Sequence, residues 1–205
     1  MDGLISWLKE YPLYAMGLVC VLVVFYFVLR ATAKAYSRYY ERYRKEEAEI
    51  KRLIALKEKY NVLTEDVIKS ADENELLEGV ALSYQLKLQK EEKQEEKFEK
   101  LPKEVQYIYA LDVFCAEKEI RDFFRENGNI LKDIIIPAFT MIGLEEDGNK
   151  LLPLKLMYDE NDSSTSLDEK KVKEVEAYFE NNNILTKIKK KSAEYIKENS
   201  SKFVL

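Results

Sequence analysis

The chain has 205 residues with no His, two Cys and six Gly. His-based acid-base chemistry, a Cys-rich metal site and a glycine-rich phosphate loop therefore lack their usual side chains. Charged residues make up 35% and apolar ones 46%, too apolar for a disordered chain and too charged for a multi-span membrane protein.

Tyr11 to Leu29 is an uncharged run that includes Leu18, Val24 and Phe27. At about 1.5 Å per residue it matches the roughly 30 Å of a bilayer's hydrocarbon core, which predicts a single transmembrane helix over residues 1–29 with a short flank. Pro12 stands where a helix start tolerates it, and Trp7, Tyr11 and Tyr14 stand where an aromatic belt belongs. A buried core helix would show a polar face. A cleaved signal peptide, suggested by Ala31-Thr32-Ala33, would need a positive start that Asp2, Lys9 and Glu10 do not supply, and Cys20 lacks the context of a lipoprotein cysteine. The basic residues that follow, Arg30, Lys34, Arg38, Arg42, Arg44 and Lys45, outnumber the single Lys9 before the run. By the positive-inside rule the carboxyl-terminal bulk faces the cytoplasm of a cell membrane. Reduced thiols agree with that side, since Cys20 and Cys115 are too differently placed to form an intrachain disulfide.

Residues 30–59 contain no Pro or Gly and predict that the helix continues as a basic, Tyr-rich stalk. Tyr36, Tyr39, Tyr43, Ile50 and Leu53 recur at helical spacing, although Glu46 and Lys57 interrupt them. The stripe predicts a short coiled coil, and so a homo-oligomer, or packing on the chain's own domain. Alternatively, the Tyr and Arg cluster from Tyr36 to Arg44 is placed to lie on anionic headgroups.

From residue 60 to 205 the pattern is helix after helix, and the expected fold class is all-α. Thr64 with Glu65 and Asp66, then Asp72 with Glu75, mark two helix starts. Gln89 to Lys100 reads as a solvated helix end or linker. Pro102 opens a helix carrying Val105 through Phe124, stopped by Asn127-Gly128. Ile134 to Leu144 is expected as a shorter helix with a late start or kink at Pro137, although Ile134-Ile135-Ile136 also suits a short strand. Leu151 to Tyr158 is expected as another helix, disturbed by Pro153. Asn161 to Ser166 reads as a loop, Leu167-Asp168 as the start of a helix to Glu180, and Ile184 to Glu198 as the last helix.

No catalytic, cofactor or metal residue is expected. Asp159, Asn161 and Ser163 resemble the opening of a calcium loop, but Ser164 and Lys170 replace its Gly and bidentate Glu. Glu145-Glu146-Asp147 and Glu91-Glu92 read as solvated surface. Cys115, between Phe114 and Ala116, reads as core and not as a nucleophile. Lys187, Lys189, Lys190 and Lys191 form a basic face. Residues 60–205 hold 22 Lys and Arg against 31 Asp and Glu, a balance of −9, whereas residues 1–59 balance at +4. So acidic a domain repels nucleic acid, and the expected partner is a protein with a basic surface.

Leu101-Pro102, Tyr107-Ile108-Tyr109, Phe114, Glu119-Ile120-x-x-Phe123-Phe124-x-x-Asn127 and Ala138-Phe139-x-x-Ile142-Gly143 follow in an order that resembles the bacterial DNA-mimic-protein-like family. The resemblance covers about Val62 to Asn199 and implies an all-helical domain, one member of which presents acidic groups to DNA-binding proteins. The family's paired glycines have no counterpart between Gly79 and Gly128, and its Asn falls one position away, at Asn127. The expectation is a membrane-tethered protein-interaction module, with a DNA mimic or a carboxylate enzyme as the alternatives.

Overall fold

A computed structural model describes residues 12–127, 129–158 and 168–204. Every α or 3-10 element is helical, and no strand occurs among the described residues. The chain divides into two units after Ile54.

The first unit holds most of α1 (Pro12–Lys59). This helix runs without interruption, as its lack of Pro and Gly after residue 17 predicts. Among the described residues no helix is long and apolar enough to cross a membrane. Tyr11 and the side chains of Leu18 and Leu22 lie outside the described residues.

The second unit is a helical domain. Its elements are α2 (Glu65–Ser70), α3 (Glu73–Leu88), α4 (Gln94–Glu99), α5 (Lys103–Ala116), α6 (Ile120–Glu126), α7 (Asn129–Met141), α8 (Glu145–Asn149), α9 (Leu152–Met157), α10 (Glu169–Asn181) and α11 (Ile184–Glu198), ending in a 3-10 turn at Ser200–Lys202. α5 lies at the centre, against α7 and α3, while α11 packs on α3 and α8 on α7. Thr64 caps α2 by accepting from the Val67 N–H, and Asp72 caps α3 by accepting from the Asn74 N–H.

Three sequence expectations change. The helix expected from Pro102 to Asn127 is two helices, with Glu117 and Glu119 in extended conformation between them. Phe114 and Phe123 are nine residues apart, so a continuous helix would turn them about 180° from each other. The break lets both enter one core, with ring centroids 5.2 Å apart. Within Gln89 to Lys100 lies α4, anchored by buried Phe98 against Tyr109. Buried Gln106 caps its end, donating to the carbonyls of Glu99 and Leu101. Helix α7 starts at Asn129 and carries exposed Pro137 in its interior. It pays the missing proline N–H by burying Ile134, Ile135, Ala138 and Phe139 around it. The acidic run Glu145-Glu146-Asp147, expected as solvated surface, is the first turn of α8 with Glu145 and Glu146 exposed, and carboxylates there suit the helix dipole.

The domain boundary also moves. Leu56 is a buried core residue and the second unit begins at Ala55, so the last turn of α1 belongs to the domain and not to the stalk expected over 30–59.

Two glycines allow close packing. A Cβ on Gly148 would lie 2.6 Å from Phe139 Cβ, and one on Gly79 would lie 2.5 Å from the Tyr60 ring. Phe139 Cβ is fixed by the backbone of α7, so Gly148→Ala should cost about 1–3 kcal/mol through overpacking. Gly79→Ala should lose stability as well, although alanine is intrinsically favoured in a helix by ~1 kcal/mol. Urea denaturation checks both, with Gly17→Ala as a control because no described residue lies within 4 Å of that site; equal midpoints for all three variants would contradict the packing.

Candidate functional site

The first candidate surface is α1. Val23, Val24, Phe25, Tyr26, Phe27, Val28 and Leu29 are each 48–61% exposed. Seven consecutive residues cover almost two turns, so apolar surface faces solvent on every side of the helix. The Thr32 hydroxyl donates to the carbonyls of Val28 and Leu29, which satisfies a polar group just past the apolar stretch. At 100° per residue, Arg30, Lys34, Arg42, Arg44 and Lys45 fall within about 160° of the helix circumference, and Tyr36, Tyr39, Tyr40 and Tyr43 occupy a separate sector of about 100°. All are exposed. Arg38 belongs to the basic sector by register, and its side chain is outside the described residues. Arg44 reaches over the Tyr40 ring at 5.8 Å.

The second candidate lies where the motif residues fall. Glu119 and Ile120 line an open cleft of about 520 Å³ with Glu176, Phe179, Glu180 and Leu185. Burial, and then the negative charge of Glu119, push the Glu176 carboxyl above its ordinary range. Its Oε1 is shielded from solvent and has no hydrogen-bond partner among the described residues. Arg121 pairs with Glu119 and lies 3.8 Å from Glu169. The cleft combines carboxylates with an apolar wall and the Lys118 ammonium at its edge.

The remaining motif residues build the fold. Phe123 and Phe124 are fully buried, and Ile142 is buried beside them in the same core. Asn127 Nδ2 donates to the Phe123 carbonyl and to Glu117 Oε1, both at 3.1 Å, closing the end of α6. Gly143 has φ +76° and ends α7: its N–H donates to the Thr140 carbonyl and that of Leu144 to the Phe139 carbonyl. This is the left-handed cap that glycine adopts without a Cβ penalty. The Ile142-Gly143 pair is therefore a helix stop.

Of the other candidates, Asp159, Asn161 and Ser163 lie outside the described residues. Burial pushes the Cys115 thiol up to about 12, which keeps it protonated and unreactive at neutral pH. Asp147 accepts from the Tyr178 hydroxyl at 2.8 Å, so one member of the acidic run has a structural partner. Lys187, Lys189, Lys190 and Lys191 are exposed, with Lys191 bound to Glu194 at 2.6 Å. Among the described residues no group of three His, Cys, Asp or Glu side chains is placed to hold a metal ion.

No family model matches the chain, and neither a curated protein nor a solved structure is significantly similar to it.

Proposed function

We infer that the protein is a membrane-tethered helical interaction module whose acidic domain faces the cytoplasm and binds a protein with a basic surface. The observation that carries this reading is the exposure of every side chain from Val23 to Leu29 on a continuous helix. A helix apolar on all sides is at home in lipid and not in water. Upstream, the uncharged sequence extends to Tyr11, the length a span needs. The cationic sector that follows supports anchoring on the cytoplasmic leaflet, where each Arg or Lys near the surface contributes about 1 kcal/mol.

The −9 balance of residues 60–205 supports a basic partner. So does the cleft at Glu119 and Ile120, where Glu176 and Glu180 add carboxylates. A DNA mimic that sequesters a DNA-binding protein is the narrower form of this reading, favoured by those same carboxylates and by the motif resemblance. The test is topology in sealed cells. Carbonate should fail to extract the full chain, and external protease should leave residues 60–205 intact. Extraction by carbonate, or digestion from outside, would overturn the reading.

A further inference from the structure

Resting on the tether for its orientation, we propose that the stalk pairs with a second copy of this chain as a parallel, in-register, two-stranded coiled coil. With Tyr36 at heptad position a, Tyr43 and Ile50 also fall at a, while Tyr39, Glu46 and Leu53 fall at d. The five apolar or aromatic members are 38–68% exposed on one stripe of α1. Ile at a followed by Leu at d is the combination that favours two strands.

Charge selects the orientation. In a parallel pair each g position meets the e position five residues further along the other helix, which brings Arg42 to Glu47 of the second copy twice by symmetry. An antiparallel pair brings g to g and e to e instead. Within one helix Arg42 and Glu47 are about 140° apart and cannot meet; there Glu47 binds Lys51 at 2.7 Å. Glu46 places two carboxylates at one d layer, a polar position of the kind that specifies register at a cost in stability. The pairing leaves Arg30, Lys34, Arg44 and Lys45 at b, f and c positions, outside the seam and free to meet headgroups. About three heptads are marginal alone. Two anchored copies leave the bilayer at the same residue, which sets orientation and register and raises their effective concentration.

The test uses the full chain in mild detergent, carrying Cys20→Ser and Cys115→Ala, with one cysteine placed by Ile50→Cys, Tyr36→Cys or Ala48→Cys and oxidised by copper phenanthroline. Both a-position variants should form disulfide dimers at least about fivefold more than the outward f-position variant Ala48→Cys, because only a-position Cβ atoms approach within disulfide range. By sedimentation, Arg42→Glu should weaken dimerisation about tenfold, and Arg42→Glu with Glu47→Arg should restore it. Equal cross-linking at Ile50 and Ala48 overturns the seam. Cross-linking at Ile50 without Tyr36 overturns the parallel register, and a double swap as weak as the single overturns the charge pairing. Carbonate extraction scores the tether separately, so its failure and that of the dimer are read independently.

Discussion

Phe123→Ala and Phe124→Ala should each destabilise the domain by about 3–5 kcal/mol, measured by urea denaturation of residues 55–205. Both rings are fully buried. They are consecutive, so they point about 100° apart, and α6 must be covered on two sides. Phe123 meets Phe114 edge-on at 5.2 Å and Phe124 at 5.3 Å, while Phe124 stacks on Tyr158 at 6.2 Å. Phe114 in turn contacts Phe139 and Phe179, at 5.6 and 5.8 Å. Removing either ring opens a cavity inside a shared aromatic cluster, and α6 has only seven residues with which to collapse onto it. Leu156→Ala, at a side chain 65% exposed, should change stability in the same fragment by less than about 0.5 kcal/mol. Losses below about 1 kcal/mol at both phenylalanines would show that the pair is not core.

The second large effect concerns where the domain begins. A fragment starting at Ala55 should melt cooperatively, whereas one starting at Asn61 should lose roughly 4 kcal/mol or more. The shorter piece lacks Leu56, 3% exposed in the last turn of α1, and Tyr60, 1% exposed just past its end. Each truncation of this kind costs about 2–5 kcal/mol. Tyr60 also covers Gly79 in α3, and Lys59 pairs with Glu75, so the surface of α3 is uncovered at the same time. With typical domain stabilities of about 5–15 kcal/mol, a loss of this size brings the shorter fragment near its threshold. Circular dichroism melts of the two fragments decide it, and identical midpoints would mean that residues 55–60 lie outside the domain.

Much of this structure was legible from local signals. Thr64, Asp72 and Asp168 cap helices because a short side-chain oxygen beside a run of helix formers satisfies N–H groups in the first turn, whatever the tertiary context. The uninterrupted α1 follows from helix propensity and the absence of breakers after residue 17. The all-α class follows from apolar spacing at three and four residues. In the candidate cleft, Glu119 and Ile120 stood out in sequence, but Glu176 and Glu180 carried no local signal, because only the packing of α10 and α11 brings them there.

Tertiary structure alone decided the rest, for a geometric reason. Helical spacing reports which residues share a face but not whether the chain turns between two faces, so Phe114 and Phe123 read as one helix until a shared core forced the break at Glu117 to Glu119. Phe98 amid Glu and Lys looked solvated because its partner, Tyr109, lies on the next helix. Tyr60 lay beyond the expected stalk, and its role in the core depends on an absent side chain at Gly79, nineteen residues away in the chain. Helices, their caps and an apolar amino-terminal run are local properties read from neighbours in the chain; where the domain starts, which aromatic residues form its core and which carboxylates share a cleft depend on contacts between distant residues, which leave no periodic trace in either partner's neighbourhood.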